Sequence, residues 1–105
     1  MKRLRLHHDV GVEIEDAYRF YEKRDAALAE RLLAEISRVR AFIEEHPRMY
    51  QRIDAKHRRA PLDVFPYSIV YREFQTEIIV FALAHESRKP NYWRHRDRSK
   101  SPRSE

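Results

Sequence analysis

The sequence predicts an α+β domain in the order β-α-α-β-β-β: an N-terminal strand, a helical hairpin and then an antiparallel sheet. Three observations carry this. Two stretches in the first half place apolar residues at helical spacing. Two apolar runs rich in β-branched and aromatic residues, Tyr67 to Arg72 and Glu77 to Ala84, follow each other across the turn Phe74 to Thr76. Between the halves stands His46-Pro47, where proline disfavours the helical region for the residue before it.

Taken in order, Lys2 to His7 alternates, with Leu4 and Leu6 on one face and Arg3 and Arg5 on the other, which is the period of a short strand. Asp9 stands where an N-cap would, and Val10, Ile14, Ala17, Tyr18 and Tyr21 then fall on one helical face, predicting a helix over about residues 9–24. Gly11, the only glycine, weakens its first turn. Asp25 caps a second helix whose stripe is Leu28, Leu32, Ile36, Val39 and Ile43, with Glu30, Arg31, Glu35, Arg38 and Arg40 on its solvated faces. Residues 48–59 are basic and read as an irregular strand or loop. Arg59 to Val64 follows as a strand in which Pro61 argues for an edge position or a bulge. The last two strands are nearly continuous in apolar residues, so they belong at the centre of the sheet, paired as an antiparallel hairpin.

With 105 residues, one domain is expected, over residues 1–96, with 97–105 as a disordered basic tail. The chain has no cysteine, which excludes disulfides and Cys-based zinc sites and fits a cytoplasmic setting. The first residues lack the apolar stretch of a signal peptide, and no apolar run approaches the ~18 residues of a membrane span. The net charge of +5 is concentrated late: residues 1–85 carry +1 and residues 86–105 carry +4. Such a local excess suits an acidic partner, either nucleic acid or an acidic protein segment, and equally a solubilising tail.

The residues that could carry chemistry gather after the last strand. His85 closes it, and Arg88, Tyr92, Trp93 and Arg96 follow. Arginines clamp phosphates or carboxylates in two-pronged fashion, and aromatic rings stack on bases or anchor an interface. Against this, Trp93 can simply fold back on the core and His85 can hydrogen-bond at the strand end. Arg58 and Arg59 are adjacent on a strand and so point to opposite faces. At most one faces a site, and the other would pair with a helix acid. His7, His8, His46, His57 and His95 show no metal-ligand spacing, and no glycine-rich phosphate loop exists, so neither metal nor cofactor is expected.

The order Arg58-Arg59, then Phe65-Pro66-Tyr67-Ser68-Ile69-Val70-Tyr71, then Ala84, His85, Arg88, Pro90, Trp93 and Arg96 resembles the RelE/ParE toxin superfamily of bacterial type II toxin–antitoxin modules. Ala17-Tyr18, Phe20-Tyr21-Glu22 and the Leu28 to Ile36 segment are similar to its helical hairpin. The resemblance implies a growth-inhibiting toxin, a role in plasmid stabilization and a cognate antitoxin as partner. It implies Arg59, Tyr67, His85, Arg88, Trp93 and Arg96 as target- or antitoxin-binding residues. RelE-like members cleave mRNA on the ribosome with sheet arginines and lysines and a late tyrosine; for that activity the candidates are Arg58, Arg59, His85, Arg88 and Tyr92. ParE-like members inhibit DNA gyrase and lack that set. Ser68 stands where ribonuclease members tend to carry an arginine, and Trp93 about where their tyrosine would be. Both departures bring the chain closer to ParE-like members and a protein target, with a ribosome-dependent ribonuclease as one alternative and a non-toxic antitoxin-binding paralogue as another.

Overall fold

The computed structural model describes residues 1–100. Strand β1 (Arg3–Leu6) runs into helix α1 (His8–Glu22), and helix α2 (Ala26–Glu45) returns against it. Strands β2 (Gln51–Arg52), β3 (Arg58–Pro61), β4 (Tyr67–Glu73) and β5 (Glu77–His85) follow, and a short helix α3 (Arg94–Lys100) ends the described chain. The sheet order is β1-β5-β4-β3-β2, which puts the two apolar strands inside, as their composition requires. Strands β2 to β5 pair antiparallel, whereas β1 runs parallel to β5 with Leu4 opposite Ile78. Between these parallel partners the chain passes through the helical hairpin and then β2 to β4, so the hairpin carries it from one edge of the sheet, β1, to the other, β2.

Local sequence explains where the helices begin and end. The N-cap of α1 is His7, not Asp9: its Nδ1 accepts the Asp9 N–H at 3.2 Å, so an imidazole does the work expected of the carboxylate. Asp25 caps α2 as its sequence position implies, with Oδ1 accepting from Ala27 N at 2.9 Å. The second helix stops at His46 before Pro47. Tyr18 on α1 donates to Glu30 on α2 at 2.7 Å, fastening the hairpin on its exposed side.

Both faces of the central strands are covered. Val10, Ala17, Leu32, Ile36, Val39 and Ile43 of the helices pack on Ile69, Tyr71, Ile78, Val80 and Leu83. On the other face Val70, Ile79, Phe81 and Ala82 lie under Trp93. A β-bulge makes this division possible. Val70 opposes Ala82 while Tyr71 opposes Val80, so Phe81 has no opposite residue. Phe81 and Ala82 therefore face the same side, and Leu83 returns to the helix side.

Three expectations are corrected. Strand β3 starts at Arg58 and ends at Pro61, which lies beyond the reach of the two-residue β2; its missing N–H leaves no ladder bond unmade. Glu35 is buried rather than solvated, and its carboxylate accepts the backbone N–H of Asp63 and faces Arg38. The irregular tail expected from 97 does not begin there: Asp97 lies in α3 and is buried, and the helix continues to Lys100. The rest of the expected tail, residues 101–105, lies outside the described residues.

Two outcomes follow from the fold. A Cβ at Gly11 would meet nothing within 4 Å. Gly11→Ala should therefore stabilise the protein by about 0.5–1 kcal/mol in chemical denaturation. Tyr71 is fully buried, and burial pushes its phenol up to about 12 from the ordinary 10.0, with Arg58 pulling weakly the other way. The unfolded phenol ionises at the ordinary value. The contribution of the neutral phenol is thus whole below pH 10 and is lost as pH rises towards 12. The denaturation midpoint should fall across that window, and Tyr71→Phe should lessen the fall. Tyr50, Tyr67 and Tyr92 shift in the same sense, so the variant does not remove it.

Candidate functional site

The bulge ends the pairing of β1 with β5 at Val80, and beyond it the outer edge of β5 is free of strand partners. Side chains complete that edge. Glu13 of α1 accepts the Leu83 N–H through Oε1 at 2.9 Å, and Arg96 donates to the Phe81 carbonyl at 2.8 Å. Glu13 Oε2 in turn accepts from Tyr92 Oη at 2.7 Å and Arg96 Nη2 at 3.0 Å, and Arg96 Nε lies 3.4 Å from Asp9. Burial works against the Arg96 charge, but the Glu13 carboxylate more than restores it. Burial and the bond to Glu13 together hold the Tyr92 phenol well above its ordinary value.

These contacts sort the residues that the sequence singled out. Trp93 is 3% exposed, with its ring 4.8 Å from that of His57, so it caps the core and offers no free surface to a target. Arg96, expected as a contact residue, is 8% exposed and committed to Glu13 and Phe81. Arg58 donates to the carbonyls of Arg48 and Tyr50 at 3.2 and 2.8 Å, and so holds the β2 turn rather than pairing with a helix acid. Arg59 points to the opposite face, as adjacent strand residues must, and donates to Ser68 Oγ at 2.8 Å. His85 accepts the Ser87 N–H at 3.0 Å and sets its ring edge-on to Tyr67 at 5.0 Å. Arg88 lies over the Tyr92 ring at 3.8 Å.

What remains open is a groove of about 310 Å³ on the sheet face away from the helices, floored by Ser68, Val70 and Ala84 and flanked by Arg59, Arg88 and Lys89. Those three cations are exposed, and among the described residues none of them sits in an ion pair with a carboxylate. On the other side of His85 and Arg88 a second concavity of about 360 Å³ runs along α1, past Glu13, Asp16, Phe20 and Tyr67. His85 and Arg88 thus form the ridge between two hollows. Geometry of this kind suits an extended chain carrying acidic and apolar side chains.

Sequence reasoning missed one cluster. His57, 5% exposed, places Nδ1 2.9 Å from Asp54 Oδ1 and Nε2 2.6 Å from Asp97 Oδ2. Its only sequence signal was a histidine three residues after an aspartate. Partial burial opposes ionisation of Asp54, but the Lys56 N–H, Arg94 and His57 outweigh it and hold the carboxyl well below the usual range. Among the described residues the donor atoms of His7, His8 and Asp9 also lie within 4.8 Å of one another. Two of those donors are already engaged: His7 Nδ1 with the Asp9 N–H, and Asp9 with Arg96.

A two-helix hairpin joining the two edge strands of a small mixed sheet, with a basic groove at the exit of its central β-hairpin, defines a small α+β domain. A family model described as the ParE toxin of the type II toxin–antitoxin system parDE matches residues 4–90, and the chain belongs to that family. A solved structure described as the chromosomal ParDE TA system from P. aeruginosa shares the fold: TM-score 0.72 at 15% identity, covering 81% of this chain and 96% of that one. No curated protein matches the sequence. No helix among the described residues is long and apolar enough to cross a membrane.

Glu13→Ala should remove the carboxylate from a largely buried guanidinium and from the Leu83 N–H at once. Removing one partner of a buried pair costs about 3–5 kcal/mol, and a loss in that range is expected in chemical denaturation. A loss near zero would show that Asp9 alone can hold Arg96.

Proposed function

We propose that the chain is the toxin of a toxin–antitoxin pair that arrests growth in the cytoplasm by binding a protein target such as DNA gyrase. A cognate antitoxin, through an acidic segment laid into the groove between Arg59 and Arg88, neutralises it. The observation that carries this reading is the contrast between the free and the committed groups of the exit. Arg59, Arg88 and Lys89 stand exposed around an apolar-floored groove, while the tyrosine that phosphate chemistry would need is tied to Glu13 and held strongly against ionisation. Free cations over an apolar floor bind by charge and shape complementarity. A phenol donating to a carboxylate is poorly placed to move a proton on a substrate.

The family supports the toxin role, and Ser68 supports the protein target, since it offers Arg59 a hydroxyl where a second sheet cation would otherwise stand. The second reading, cleavage of ribosome-bound mRNA, draws on the same groove, because Arg59, His85 and Arg88 all line it.

Induced expression without an antitoxin should stop growth, and purified protein should inhibit supercoiling by gyrase while mRNA ends stay unchanged. Arg88→Ala should abolish the arrest. Codon-phased mRNA cleavage with normal supercoiling would replace this reading by the ribonuclease. The absence of any arrest would leave a paralogue that only binds an antitoxin.

A further inference from the structure

Helix α3 and the residues leading into it lie across the outer face of the sheet as a strap tied on two flanks. On one flank Glu13 takes Tyr92 and Arg96. On the other, His57 takes Asp97, and Asp54 takes Arg94 at 2.7 Å. Trp93 is buried between them. The strap begins at Asn91, whose φ of 67° lets the chain turn sharply into it. Its first residues, Asn91 to Trp93, are also a wall of the groove that holds Arg59 and Arg88.

The second tie is unusual in being a relay. Asp54 Oδ1 and Oδ2 face Nδ1 of His57 at 2.9 and 3.0 Å, Asp97 Oδ2 faces Nε2 at 2.6 Å, and Arg72 backs Asp97 at 3.1 Å. Both ring nitrogens of one imidazole thus face carboxylate oxygens, which ties Asp54 to Asp97 through a single side chain. Phe81 and Trp93 pack their rings against the imidazole, and Lys56 and His95 line the adjoining cavity of about 430 Å³. An apolar anchor would hold the strap under all conditions. A half-made polar network holds it poorly, because each unpaired member is left with its desolvation cost.

We propose that the Asp54–His57–Asp97 bridge is a latch: it fixes whether residues 91–97 lie shut on the sheet, and thereby whether the groove wall is assembled, from a position that no occupant of the groove touches. The latch is a property of the folded chain alone and does not depend on what the groove binds. Opening it frees a local unit and leaves the β4–β5 hairpin folded.

Two variants test it: Asp97→Asn, which removes the charge that His57 Nε2 faces, and His57→Gln, which removes the ring that joins the two carboxylates. Native-state amide exchange should speed up by about tenfold or more at residues 93–97, the scale of a lost charge-assisted bond, with no change in β4 and β5. Trp93 is the only tryptophan, so acrylamide quenching of its fluorescence should rise in parallel. Equal acceleration across the whole sheet would reduce the bridge to a general stabiliser, and unchanged exchange at 93–97 would refute it. If neither variant folds, the wild type decides: under rising denaturant residues 93–97 should open before β4 and β5, and simultaneous opening would overturn the latch.

Discussion

The carboxylate of Glu13 is the point at which three otherwise separate parts of the chain meet. It leaves α1 in its second turn, reaches the outer edge of β5 through the Leu83 N–H, and holds the exit segment through Tyr92 and Arg96. The need for it arises in the sheet. Strand β1 has only four residues, so its parallel pairing ends at Val80, and the bulge at Phe81 turns the remaining strand away. An unpaired strand edge invites other strands, and a charged side chain laid along it is a common remedy. Here the remedy doubles as an anchor. Because Arg96 covers the Phe81 carbonyl from the other direction, acid and base complete the edge together.

The same bulge decides what the outer face can become. With Phe81 and Ala82 both turned outward, that face carries more apolar surface than strict alternation would give it. Trp93 covers it, but a single tryptophan on a short strap is a small lid. The rest of the strap is held by polar groups: Arg94 on Asp54, Asp97 on His57 and Arg72, Arg96 on Glu13. The helix side of the sheet is closed mainly by aliphatic contacts along two long helices. The two faces of one sheet are thus secured by different physics.

This difference also explains what could be read from the sequence. Helical periodicity, the Asp25 cap, the Pro47 stop and the two apolar runs are local signals, each spanning a few residues, and each led to the element found. The N-cap at His7 escaped because an imidazole can accept as well as a carboxylate can, and Asp9 was the more familiar acceptor. The outer face was illegible for a deeper reason. His57 meets Asp97 forty residues on, and Glu13 meets Tyr92 and Arg96 some eighty residues on. No spacing rule links such positions, and side chains such as Asp97 and Arg96 read as solvated until the fold brings them together. Helix α3 was missed for the same cause: its sequence is polar throughout, and the partners that order it come from other elements.

A cluster of conspicuous residues in sequence need not be a cluster of equivalent residues in space. His85, Arg88, Tyr92, Trp93 and Arg96 fall within twelve positions, and the resemblance to toxins rests heavily on them. In the fold they divide at Asn91, where the backbone turns. Before the turn the half-buried His85 and the exposed Arg88 form a ridge between two hollows. After it Tyr92, Trp93 and Arg96 point inward and keep the sheet covered. The pattern that marks the family is therefore partly a signature of how the strap is built, and such a signature can persist whatever the groove beside it binds. Differences of target are better sought in Arg59, Arg88 and Lys89, which stand exposed beside the groove, and in Ser68 at its floor.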